Sequence, residues 1–117
     1  MDKKTSAILS YALGWLTGII FLFVGKNDPD VKFHASQSII FFGAISILNI
    51  VLSILASLLG ALGIIFSLAG LAVAVFAIVV WIMAMLQANN TGGARAELPI
   101  IGKFTTPYAD QLANSIK

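Results

Sequence analysis

Cysteine is absent from this chain, proline occurs three times, and charge is scarce: seven basic and five acidic side chains among 117 residues. Without cysteine there are no disulfides, no thiolate metal sites and no cysteine nucleophile, while the compartment stays open. The shortage of charge excludes more. A soluble domain solvates its surface with charged side chains at about a quarter of its positions, whereas here they make up 10% and hydrophobic residues 59%. No basic run is long enough to hold nucleic acid, so no nucleic-acid partner is expected.

What charge there is stays outside two windows, Thr5 to Gly25 and Ala35 to Ala94. Crossing a bilayer core takes about 20 apolar helical residues, so the first window holds one span, residues 5–24. As a single helix the second would be about 90 Å long and must fold back, with Gly60-Ala-Leu-Gly63 as the turn. That divides it into spans over 38–59 and 64–86. Strands are set aside, because runs such as Gly70 to Trp81 do not alternate apolar and polar residues. The expectation is an all-α integral membrane bundle of three transmembrane helices in one domain of residues 1–117. A polar connection over 25–37 and a tail over 89–117 complete it, the tail ending in a short interfacial segment.

Small residues recur at helix-contact spacing, which lets helix backbones approach closely in lipid. Ser6, Ser10, Gly14 and Gly18 are four apart in the first span, and Gly63, Ser67, Gly70 and Ala74 form a row in the third. The second carries a stripe of Ser46, Asn49, Ser53 and Ser57. Packing and hydrogen bonding between helices is its expected role; the wall of a polar path in an oligomeric channel or carrier is the alternative. Serine can return its hydroxyl to its own helix. Asn49 cannot be satisfied that way alone and should face a neighbouring helix, a partner or water. Trp15, in the middle of its span, is expected to pack, and Tyr11 and Trp81 to anchor at the interface.

The connection Lys26 to Ser38 is the most structured polar stretch. Asp28 suits an N-cap, with Pro29 first and Asp30 in the first turn of a helix. His34 and Gln37 would then share a face at the entrance to the second span, His34 fixing the helix end by hydrogen bonding or serving a proton or ligand. Asn89 to Ala94 reads as a helix stop. The tail is expected to restart as a helix at Thr106, with Pro107 in first position, Tyr108, Leu112 and Ile116 on one side, and Lys117 elsewhere.

Val31-Lys-Phe-His-Ala-Ser-Gln-Ser38, after a span containing Leu13-Gly-Trp15 and before Leu98-Pro-Ile-Ile-Gly102, resembles a prokaryotic family of small uncharacterised membrane proteins. That family is related to the chloroplast inner-envelope protein-import component of about twenty kilodaltons. The resemblance implies a helical membrane protein with a part in translocation or complex assembly. The chloroplast relative, however, has four spans and a longer chain.

No catalytic constellation is visible, and no enzyme, cofactor or metal site is expected. The spans hold no carboxylate, lysine or arginine, which weighs against proton-coupled transport. The expected function is a non-enzymatic interaction or assembly module of the cell membrane, with an accessory role in protein translocation as its narrower form. Its partners would be membrane lipids and either further copies or another membrane protein. With three spans, Lys3 and Lys4 face one side and Lys26, Lys32, Arg95 and Lys103 the other, placing the C-terminus in the cytoplasm.

Overall fold

The structure is a computed structural model that describes residues 2–116. Five α-helices follow in order: α1 (Lys3–Ala12), α2 (Trp15–Val24), α3 (Pro29–Leu58), α4 (Gly63–Asn90) and α5 (Gly102–Ser115). Lys117, expected in the tail, lies outside the described residues. Two helices, α3 and α4, are long and apolar enough to cross a membrane. They form an antiparallel pair joined by a single 3-10 turn, Gly60–Leu62, at the place where glycines bracket the sequence. Gly60 takes a φ of 59° there, which glycine adopts without a side-chain penalty. A Cβ on Gly63 would run into the carbonyl of Ala56, so this glycine lets the two helices close up at their turn.

The expected span over residues 5–24 is corrected: it is two ten-residue helices, α1 and α2, with a break at Leu13 and Gly14. Gly14 has φ 64° and ψ −134°, a region nearly closed to other residues. Its Cα stands against Phe42 of α3. At the other end of α1, the Lys3 ammonium lies 2.8 Å from Asp30 at the start of α3. α2 then runs back, with Gly18 against Ala35 and Ser38, and Gly25 against Val31. Both ends of this hairpin therefore lie at the start of α3. Its tip reaches the level of Phe42, twelve residues or about 18 Å along that helix.

The break explains three further departures from expectation. Tyr11, expected at an interface, is 1% exposed between α1, α3 and α4, and Trp81 is half-buried beside it. Trp15, expected to pack, begins α2 and is 42% exposed.

α3 begins as its sequence predicts. The Asp28 carboxylate accepts from the N–H groups of Asp30 and Val31, with Pro29 in the first turn. α5 differs from expectation, starting at Gly102 and taking Pro107 inside the helix. Thr105, Ala109 and Ala113 are its buried positions, and Leu112 and Ile116 pack on Phe21, Leu22, Val31 and Ala35. Tyr108, expected on the apolar side, is 59% exposed.

Two halves result. Near the start of α3 and the end of α4, four helices and the tail surround α3, and every buried residue from Val31 to Phe42 lies there. Beyond, α3 and α4 have only each other, and Ile47, Ile54, Ile64 and Leu71 are exposed.

Gly14→Ala should lower stability by about 1–3 kcal/mol, because alanine must adopt the glycine conformation and its Cβ would sit 3.3 Å from that of Phe42. Gly43→Ala, inside α3 where the added methyl meets open space, should hold or slightly raise the thermal unfolding midpoint in detergent, since alanine is the better helix former. Equal midpoints for the two variants would show that α1 and α2 are one continuous helix.

Candidate functional site

A break within an apolar stretch leaves backbone groups outside a continuous helix, and in hydrocarbon each must be satisfied by protein. The Gly14 carbonyl accepts from the Gly18 N–H at 3.1 Å and from Ser38 Oγ at 2.9 Å. Thr17 Oγ1 accepts from the Leu13 N–H at 3.0 Å and lies 3.4 Å from the carbonyls of Ser10 and Gly14. Trp81 Nε1 donates to the Tyr11 carbonyl at 2.7 Å. Three helices thus supply the side chains that close the break.

Directly below lies a buried polar cluster of Tyr11, His34 and Gln37, each at most 2% exposed. His34 Nε2 is 2.8 Å from the Ala94 carbonyl, which only accepts, so this nitrogen carries the proton. In the neutral ring Nδ1 then accepts, and the Tyr11 hydroxyl donates to it across 2.6 Å. Gln37 Nε2 donates to the Tyr11 oxygen at 2.8 Å and to the Ala96 carbonyl at 3.1 Å. Gln37 Oε1 accepts from the Leu98 N–H at 3.1 Å. Every polar position of the imidazole and the carboxamide is used. The cluster ties the segment 94–98 to α3 and α1, and Leu98 closes it at 3% exposure. A proton added at Nδ1 would remove the acceptor that the Tyr11 hydroxyl uses, so the network needs a neutral His34.

Beside the cluster, Arg95 makes two hydrogen bonds to Asp110 of α5, 2.7 and 2.9 Å long, and its guanidinium lies 3.9 Å over the Phe33 ring. The Arg95 hydrogen bond holds the Asp110 carboxyl below its ordinary range. On the next turn, Ile100 has a φ of 71°, a strained value for a β-branched residue. The hydrogen bonds at Leu98 and from Gly102 N–H to the Leu98 carbonyl, 3.0 Å, hold the chain around it.

The structure brings His34 and Gln37 together as the sequence places them, and adds Tyr11 and Trp81, which the assumption of a straight first span had sent to an interface. Of the stripe in α3, Asn49 and Ser53 share an open cleft with Ser67, Gly70 and Ala74 of α4. Asn49 Oδ1 stands against Gly70. Ser57 is apart from it, returning its hydroxyl to the Ser53 carbonyl at 3.1 Å, as Ser46 does to Phe42 at 2.8 Å. Ser10 is buried and bonds back to the Ser6 carbonyl at 2.8 Å. Of the packing row, Gly18 meets α3 directly and Gly14 is the break itself.

Residues 2–105 match the profile of the magnetosome magnetite crystal formation protein family. A UPF0132 membrane protein of Methanocaldococcus jannaschii is 36% identical over 109 residues, 93% of this chain and 90% of its own length. A second from that organism is 32% identical over 108 residues, covering 92% of this chain and 71% of its own length. A UPF0132 membrane protein of Archaeoglobus fulgidus is 34% identical over 102 residues, 87% of this chain and 90% of its own. No solved structure matches the chain. The small-membrane-protein part of the resemblance agrees with these relatives; nothing among them links the chain to the chloroplast import component.

Tyr11→Phe leaves His34 Nδ1 and one Gln37 N–H without partners, at an expected cost of about 1–3 kcal/mol. A lower unfolding midpoint, with faster proteolysis between Ala94 and Leu98, is expected; unchanged values would show that the cluster does not hold the tail. Because Asp110 titrates lower in the folded chain than unfolded, its contribution is complete above the ordinary carboxylate range and disappears as pH falls through the folded value. Docking of α5, followed by a fluorophore at Ser115, should weaken only in acid, and Asp110→Asn should abolish that dependence.

Proposed function

The chain belongs to the magnetosome magnetite crystal formation protein family, and from that premise and the geometry above we propose that it is a non-enzymatic module of the cell membrane that associates with other membrane helices. In this reading α3 and α4 cross the bilayer. α1 and α2 enter from one side and return to it, and α5 lies on the same side. That side holds Lys3, Lys4, Lys26, Lys32, Arg95 and Lys103 and is cytoplasmic by the usual bias of basic residues. Both termini are then cytoplasmic and the Gly60 turn is outside. This replaces the arrangement in which Lys3 and Lys4 face away from the other basic residues.

The observation that supports association is the unshared half of the α3–α4 pair. Its cleft puts the Asn49 amide among Ser53, Ser67 and Gly70, and no internal hydrogen bond satisfies that amide among the described residues. In lipid an amide seeks a partner on a neighbouring helix, and small residues let that helix approach. A second copy or another membrane protein supplies it. The back-bonded hydroxyls of Ser46 and Ser57 favour this over a polar conduction path. From the family the proposal takes a membrane protein and leaves its mineral chemistry aside. Translocation is not carried forward, having rested on the chloroplast relative alone.

Single cysteines in this cysteine-free chain test the topology. Gly60→Cys should react with an impermeant thiol reagent on intact cells, and Lys4→Cys and Ser115→Cys only after permeabilisation. Labelling of Lys4→Cys and Ser115→Cys from opposite sides would establish three crossings instead. For association, Asn49→Leu should weaken self- or partner binding in liposomes by about 1 kcal/mol, read by energy transfer between labelled proteins. Ready labelling of Asn49→Cys and Ser53→Cys from water would replace association with a polar path.

A further inference from the structure

Four carboxylates at the charged end are occupied, and a fifth, Glu97, lies outside the notch that Lys26 and Lys32 line. Asp28 and Asp30 lie 3.8 and 2.8 Å from the Lys3 ammonium, and Asp110 is held by Arg95. Asp2 caps α1 by accepting from the Thr5 N–H at 2.8 Å. Lys26 and Lys32 have no carboxylate within ion-pair distance among the described residues. Both line one notch of about 260 Å³ between the α2–α3 connection and the end of α5, with Arg95, Asp110 and Asn114 opposite them. Three cations against one carboxylate leave a formal charge of +2 in that notch.

Its walls are fixed independently of any ligand. The two hydrogen bonds between Arg95 and Asp110 lock the guanidinium, the Phe33 ring supports it, and Leu112 and Ile116 seat α5 on the bundle. Lys26 and Lys32 sit on flexible stems that can turn toward a shared anion. Apolar surface begins immediately beside the charge: α2 ends in Phe23 and Val24, 56% and 71% exposed, and Lys26 follows after one glycine. A phosphate flanked by acyl chains matches that division. Free phosphate would use the cations and leave the apolar side without a role.

We propose that this notch binds the phosphate headgroup of an anionic phospholipid, with Lys26 and Lys32 as the phosphate ligands, Arg95 as the fixed cationic wall and Asn114 as a neutral donor. The acyl chains lie along the exposed face of α2. The proposal rests on placing the charged end at the membrane surface, and its test is done in micelles, where transmembrane orientation plays no part. Failure here therefore leaves the cysteine-labelling result standing, and the reverse.

Protein in neutral detergent is titrated with phosphatidylglycerol or phosphatidylcholine, and bound lipid is counted by native mass spectrometry. Preferential retention of phosphatidylglycerol is expected. Lys26→Gln and Lys32→Gln should each weaken it roughly fivefold, the equivalent of about 1 kcal/mol per basic residue near a lipid surface. Lys26→Arg should restore binding, and Lys4→Gln, at the same end but outside the notch, should change nothing. Circular dichroism checks that each variant keeps its helices. Equal retention of the two lipids, or an equal loss in Lys4→Gln, would overturn the site. Displacement of the lipid by inorganic phosphate at matching concentration would assign the notch to a soluble anion and overturn the lipid reading.

Discussion

Where α1 gives way to α2, the carbonyls of Ser10, Tyr11 and Gly14 fall outside a continuous helix, inside a segment that is apolar on both sides. An unsatisfied backbone group costs several kcal/mol in hydrocarbon; the Tyr11 and Gly14 carbonyls already accept from the N–H groups of Gly14 and Gly18, and Thr17, Ser38 and Trp81 add contacts to these carbonyls and to that of Ser10. Those three side chains belong to α2, α3 and α4. Their convergence fixes how the hairpin lies against the long pair, and the arrangement of the charged end follows from it. Had residues 5–24 formed one helix, Lys3 could not approach Asp30, nor could Tyr11 meet His34.

The tail depends on the same hairpin. Tyr11 occupies the centre of the buried network, receiving from Gln37 and giving to His34, while His34 and Gln37 hold the backbone of residues 94–98. Each partner covers the polar atoms of the others, which makes the burial affordable. α5 is then kept in place by Arg95 and Asp110 outside and by Leu112 and Ile116 within. One half of the molecule is consequently cross-linked by polar contacts among five helices. The other is a bare helical pair, and that contrast is the physical ground for assigning association to the second half.

Much of this was legible in the residues. The turn at Gly60, the Asp28 cap and the pairing of His34 with Gln37 on one face all follow from local chemistry, because capping, glycine conformations and helical periodicity act over a few residues. Other parts were hidden. Trp15 and Tyr11 were misplaced together, since both assignments assumed that an apolar stretch of spanning length is one straight helix. Thr17 could have raised the question: a hydroxyl three residues after Gly14 can serve a chain reversal. It reads equally well as an ordinary helix residue. The face of α5 was misjudged because Thr105, Ala109 and Ala113 are small, and hydrophobicity alone favoured Tyr108.

By itself, the sequence determined that the chain is helical, that it belongs in a membrane, and where its long helices start and turn. Charge distribution and apolar length decide those things without reference to any distant contact. Tertiary structure alone decided that the first apolar window is a hairpin of two short helices rather than one long helix, and hence that the charged side chains among the described residues gather at one end. The reason is energetic: a reversal within an apolar stretch is prohibitive for an isolated helix. Here local backbone bonds to the Tyr11 and Gly14 carbonyls are joined by side chains some 20 to 70 positions away, Ser38 and Trp81, which tie the reversal to the long pair.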